Sequence, residues 1–124
     1  MQKPISPTAH GILDYATMGA TASAPLILGM PRRAAGAAYA LAGAYTALSA
    51  LTDYKPAVKR AVPLRVHEGV DIGLGMVLPA LPWLLGFAGN RRARNFFLGL
   101  TAITLATTAL TDWSKGRKRK LLRK

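Results

Sequence analysis

The 124-residue sequence predicts an all-α membrane protein, four transmembrane helices arranged as two parallel two-helix hairpin repeats. Three observations lead there. The first is a set of four windows without a charged residue, at 15–31, 34–52, 72–90 and 95–111. As helices rising 1.5 Å per residue they span about 26–28 Å, close to the hydrocarbon thickness of a bilayer. The second is the sorting of charge: 17 Lys and Arg against 5 acids, with every basic residue between or outside the windows. The third is an internal echo. His10-Gly11-Ile12-Leu13-Asp14 returns as His67-Glu68-Gly69-Val70-Asp71, 57 positions later, and Ala24-Pro25-Leu26 returns as Leu81-Pro82-Trp83. Two residues slip in the second copy, so Thr52-Asp53-Tyr54 matches Thr111-Asp112-Trp113 at an offset of 59. A repeat of this length marks one structural unit used twice.

The elements follow in order. Ser6-Pro7 is a helix start, since Ser caps and Pro is tolerated at the first position. The first helix is expected over about 7–29 and is expected to be retained: Thr21-Ala22-Ser23-Ala24 looks like a cleavage site, but Pro25 follows it and Asp14 interrupts the apolar run. Pro25 should loosen its far end. Pro31-Arg32-Arg33 is a tight turn into a second helix over about 34–53. There Gly36, Ala40 and Ala44, with Gly43 and Ala47 beside them, offer a small-residue stripe for close packing within the hairpin, or alternatively for homo-oligomers.

A longer connection with Lys55, Lys59, Arg60 and Arg65 leads to a third helix from Pro63 to about Phe87, carrying Pro79 and Pro82. Residues 89–94 turn the chain into a fourth helix over about 95–113. The domain is thus 1–114, with repeat 1 at about 7–54 and repeat 2 at about 63–113, and residues 115–124 form a basic tail.

Charge sets the orientation. Both termini and the middle loop share one side, with twelve basic residues against five (Arg32, Arg33, Arg91, Arg92, Arg94) on the other. The positive-inside rule places the richer side in the cytoplasm. Tyr54 and Trp113 are then expected at the inner interface and Trp83 near the outer one. The tail, with Lys115, Arg117, Lys118, Arg119 and Lys120, suits anionic lipid headgroups, or serves only as a topology signal. Nucleic acid, the usual partner of so basic a chain, is disfavoured because the charges flank apolar windows.

Leu81-Pro82-Trp83-Leu84-Leu85-Gly86-Phe87, followed by an Asn-bearing loop and a Gly-bearing helix, resembles the SPW-repeat family of small bacterial integral membrane proteins. The likeness covers 67–113 and, more weakly, 10–54. Leu81 stands where the family motif has Ser, and the first copy lacks the Trp. The resemblance implies a two-helix membrane repeat in the bacterial inner membrane and no established activity.

One constellation bears chemistry. His10 and Asp14, like His67 and Asp71, are four apart and share a helix face. Asp53 and Asp112 are expected at the returning helix ends, so all six fall near the cytoplasmic end and face each other across a pseudo-two-fold axis. Ionisable groups in a span tend to face the bundle interior. Three readings follow. The first is a polar clamp between hairpins, with the helix-end acids bonding backbone or pairing with Lys55 or Arg65. The second is a divalent metal site or a bis-His haem. The third is a proton or ion path, against which stands the absence of charge in the outer halves of the windows. With no Cys in the sequence, thiol chemistry is excluded, and no catalytic residues are expected.

Overall fold

The computed structural model describes residues 3–114, and the basic-tail expectation at Lys115, Arg117, Lys118, Arg119 and Lys120 lies outside them. Among the described residues the regular structure is all helical: α1 Pro7–Leu28, α2 Arg32–Leu51, α3 Leu64–Val77, a 3-10 turn Leu78–Ala80, α4 Leu81–Leu84 and α5 Arg91–Leu110. α1 packs along α2, and α3 along α5.

Local chemistry explains most ends. The Ser6 hydroxyl accepts from the Ala9 amide at 3.1 Å, with Pro7 opening α1. The helix runs on through Pro25 and stops at Gly29, whose φ of 59° is a left-handed conformation that favours glycine. The amide of Met30 then closes on the Pro25 carbonyl at 3.0 Å. At the start of α5 the Asn90 side chain accepts from Ala93 at 3.0 Å.

Four expectations need correction. α2 and α5 begin at Arg32 and Arg91, ahead of their charge-free windows, because a window limits lipid-compatible length and not hydrogen bonding. Both helices also stop two or three residues early, at Leu51 and Leu110, where Thr52 and Thr111 turn extended. The reason is a short bridge at each: Ile5 pairs with Thr111, and Val62 with Thr52. The amide of Asp112 donates to Ile5 at 2.8 Å and that of Asp53 to Val62 at 2.7 Å, so these amides leave the helical ladder. The third helix is not continuous to Phe87. Pro79 and Pro82 lack amide protons, and the chain tightens into a 3-10 turn and a single turn of α4.

The fourth correction concerns packing. The buried face of α2 is Ala34, Ala38, Ala42, Tyr45 and Ser49, whereas Gly36, Ala40, Gly43, Ala44 and Ala47 point outward. Both stripes are small enough for close approach, but only the first shares a face with Tyr45 and Ser49, whose polar groups are buried. Close approach is real elsewhere. A Cβ at Gly11 would sit 2.8 Å from Pro56 and 2.9 Å from Tyr54, and one at Gly75 would run into the Leu105 side chain.

The interior has two ends. Towards the turns at 29–31 and 85–90 it is apolar, with Ala34, Ala38, Leu78, Ala93, Phe97 and Leu100 buried and the Phe87 and Phe97 rings 5.2 Å apart. Towards the bridges it is polar: His10, Asp14, Thr52, His67, Asp71 and Thr111 are buried. The outside is the reverse, with Ile12, Leu26, Ile27, Met76, Leu84 and Ile103 exposed. Among the described residues one helix, α2, is long and apolar enough to cross a membrane, with a mean hydropathy of 1.3.

Candidate functional site: a buried His–Asp centre

Helical spacing puts His10 and Asp14 on the inner face of α1 and His67 and Asp71 on that of α3. The two faces meet, and the closest pairs run between helices. His10 Nε2 lies 3.0 Å from Asp71 Oδ2, and His67 Nε2 lies 3.0 Å from Asp14 Oδ2. The pairs along each helix are longer, 3.3 Å for His10–Asp14 and 3.5 Å for His67–Asp71. Imidazole nitrogens and carboxylate oxygens thus alternate around a closed ring. Both histidines and Asp71 are no more than 1% exposed.

The other nitrogen of each ring reaches across the bundle in the same manner. His67 Nδ1 is 2.8 Å from Thr52 Oγ1, and His10 Nδ1 is 2.7 Å from Thr111 Oγ1. Each threonine hydroxyl donates its one proton backwards at 2.6 Å, to the carbonyl of Leu48 or of Thr107. It therefore accepts from the imidazole, and both histidines carry a proton on Nδ1. Nε2 of each ring then faces the carboxylates, and that of His67 also meets the Tyr45 oxygen at 3.0 Å.

Aromatic rings close the outer end of the centre. Trp113 sits 4.8 Å from the His10 ring and Tyr54 5.6 Å from that of His67. Trp113 Nε1 is satisfied by the Thr108 carbonyl at 3.0 Å. Tyr54 and Trp113, expected at the inner interface, are buried over the histidines and do not face outward, whereas Trp83 is exposed at the opposite end. Burial lifts the Tyr54 phenol above its ordinary pKa and keeps it neutral.

One element breaks the pairing. Tyr45 on α2 donates its hydroxyl proton to Asp71 Oδ1 and stands 3.0 Å from His67 Nε2. Its counterpart at the 59-residue offset, Thr104, lines a cavity of about 20 Å³ beside His10, Asp14, Tyr45 and Asp71. Thr108 adds a 3.4 Å contact to Asp71 Oδ2.

Of the six residues expected to meet, the structure brings together His10, Asp14, His67 and Asp71. Asp53 and Asp112 stand one residue beyond the hydroxyls that touch the imidazoles. The Asp112 carboxylate accepts from the backbone and hydroxyl of Ser114, and the Asp53 amide serves the bridge to Val62. Thr52, Thr111 and Tyr45 were missed. The two threonines stood in the repeated Thr-Asp-aromatic triplets, where weight went to the ionisable member; Tyr45, matched at the offset by Thr104, lies outside the echoed stretches and carried no signal.

One nitrogen of each histidine and one oxygen of Asp14 lie within 4.8 Å of one another, a spacing that a metal ion can bridge. Haem does not fit. The two imidazoles are 5.4 Å apart at 82°, edge to face, with carboxylates between them, and the adjoining cavity admits about one water. Comparison with protein-family models, curated proteins and solved structures finds no match.

Proposed function

We propose that this chain is a small multi-pass membrane protein of structural or interaction type without a catalytic site. In this reading α1, α2, the α3–α4 run and α5 cross a bacterial inner membrane as two parallel hairpin repeats, as the SPW-repeat resemblance implies, with both termini cytoplasmic. The observation that carries it is an inverted surface. Leu26 is 85% exposed, Ile27 76%, Met76 74% and Leu84 72%, while the His–Asp centre is buried. A water-facing bundle would shield those side chains, whereas hydrocarbon favours them and drives ionisable groups inward. The paired contacts of His10 and His67 support two copies of one unit, and the four charge-free windows support spans for the helices less apolar than α2.

The role assigned is to hold two hairpins together through their polar end and to present a lipid- or partner-facing surface. Because the chain lacks Cys, single cysteines report topology cleanly. Arg33→Cys and Asn90→Cys are expected to react with an impermeant maleimide on intact cells, and Lys59→Cys only after lysis. Recovery of the protein in the soluble fraction, or labelling of Lys59→Cys from outside, sinks the reading.

A further inference from the structure

We propose that the His10–Asp14–His67–Asp71 centre is a binding site for one divalent first-row transition metal ion, held by the two Nε2 atoms and the two carboxylates. This goes beyond the membrane reading and does not depend on it, since it rests only on how four side chains meet.

Four observations converge. First, the donors are spaced as ligands are. Metal–nitrogen and metal–oxygen bonds of about 2.0–2.2 Å place adjacent donors about 2.9–3.5 Å apart for angles between square and tetrahedral. Asp71 Oδ2 lies 3.0 Å from His10 Nε2 and 3.5 Å from His67 Nε2, and the two Asp14 oxygens lie 3.3 Å (Oδ1) from His10 Nε2 and 3.0 Å (Oδ2) from His67 Nε2. Second, the rings are already oriented. Thr52 and Thr111 hold each imidazole with a proton on Nδ1 and turn Nε2 towards the carboxylates, the arrangement found behind metal-bound histidines; His67 Nε2, which meets the Tyr45 oxygen at 3.0 Å, would exchange that contact for the ion and release its proton. Tyr45 likewise donates to Asp71 Oδ1 and leaves Oδ2 towards the centre.

Third, the centre is unsatisfied as it stands. His10 Nε2 and Asp14 Oδ2 are buried and have no hydrogen-bond partner among the described residues, although oppositely typed atoms lie within 3.0–3.3 Å. A proton on His10 Nε2 would not point at either nearby oxygen, so distance is met and direction is not. Direct contact between the pairs would need the N–H aimed at the acceptor, whereas a cation between them needs only the lone pairs. Fourth, the charge closes. Two neutral imidazoles, two carboxylates and a dication sum to zero, which suits a site this deeply buried.

An oxygen and imidazole donor set without thiolate selects ions of the zinc, iron and manganese type. The cavity beside it admits about one water and nothing larger, so the ion would tie α1 to α3 and has no room for an organic substrate.

The test uses the full-length protein in detergent, stripped with chelator and titrated with Co²⁺ and then Zn²⁺. One cobalt per chain is expected, with visible d–d absorption that Zn²⁺ displaces and a raised melting temperature. His10→Gln and His67→Gln should each abolish the absorption. Thr52→Val and Thr111→Val, which leave the ligands in place, should weaken affinity about 10–100-fold without changing stoichiometry. Stripped protein that stays folded and takes up no cobalt overturns the site and leaves an imidazolium–carboxylate clamp. Uptake undiminished in both glutamine variants places the metal elsewhere and also overturns it. Neither result alters the maleimide pattern that tests the membrane reading.

Discussion

The two ends of the bundle interior solve the same packing problem with opposite chemistry. At the Phe87–Phe97 end, Ala34, Ala38 and Ala93 let helices approach and aromatic rings fill the remaining space. Any side chain of suitable volume would serve there. At the His–Asp end, three of the four groups are placed by a directional partner: His10 by Thr111, His67 by Thr52, Asp71 by Tyr45. An apolar end holds by fit and tolerates repacking, whereas a buried polar end holds only while its partners are complete. The polar end is also where both hairpins contribute equivalent residues, so it decides how the hairpins pair.

The largest effect should come from breaking the polar end. Asp71→Ala removes the acceptor of Tyr45 and the partner of His10, and is expected to cost about 3–5 kcal/mol in denaturant unfolding in detergent. An effect under about 1 kcal/mol would show that the charged ring adds nothing to stability. Phe97→Ala empties the apolar end and should cost about 3–4 kcal/mol while leaving the cobalt signal of the far end intact. Loss of that signal would mean the two ends are not independent.

Thr52→Val and Thr111→Val sharpen the comparison between hairpins. Each deletes two buried hydrogen bonds at matching positions, one to an imidazole and one to a backbone carbonyl, and should cost about 1–3 kcal/mol, agreeing to within about 0.5 kcal/mol. Thermal unfolding that separates them further would show that the paired geometry hides unequal loads. The smallest effect is expected outside. Gly36→Ala sits on an outward helix face with nothing within 4 Å, and should stabilise by about 0.5–1 kcal/mol. A clear loss instead, or a change of oligomeric state by light scattering, would mark that stripe as a contact surface.

Much of the fold was legible. Ser6-Pro7 and Gly29 act locally, so the ends of the first helix could be read from neighbouring residues; Asn90 also caps locally, but the charge-free window set the expected start of the fourth helix at about 95. The ends at Leu51 and Leu110 could not, because the amides that follow bond outside the helix, that of Asp53 to Val62 across the connecting loop and that of Asp112 to Ile5 at the far end of the chain. The break at Pro79 and Pro82 was half-legible: proline marks a lost hydrogen bond, but whether a helix kinks, tightens or continues depends on what packs around it, and Pro25 shows the other outcome.

The sequence by itself determined that His10 and Asp14 share a face, that His67 and Asp71 do the same, and that the two pairs stand at equivalent places. Helical periodicity suffices for that. Only the tertiary structure decided who partners whom. The shorter contacts cross between α1 and α3, the Nδ1 proton of each imidazole is set by a threonine from the opposite hairpin, and Tyr45 enters where the second hairpin has Thr104. The physical reason is that spacing along one helix governs direction, whereas distances of about 3 Å between helices depend on how closely two backbones pack.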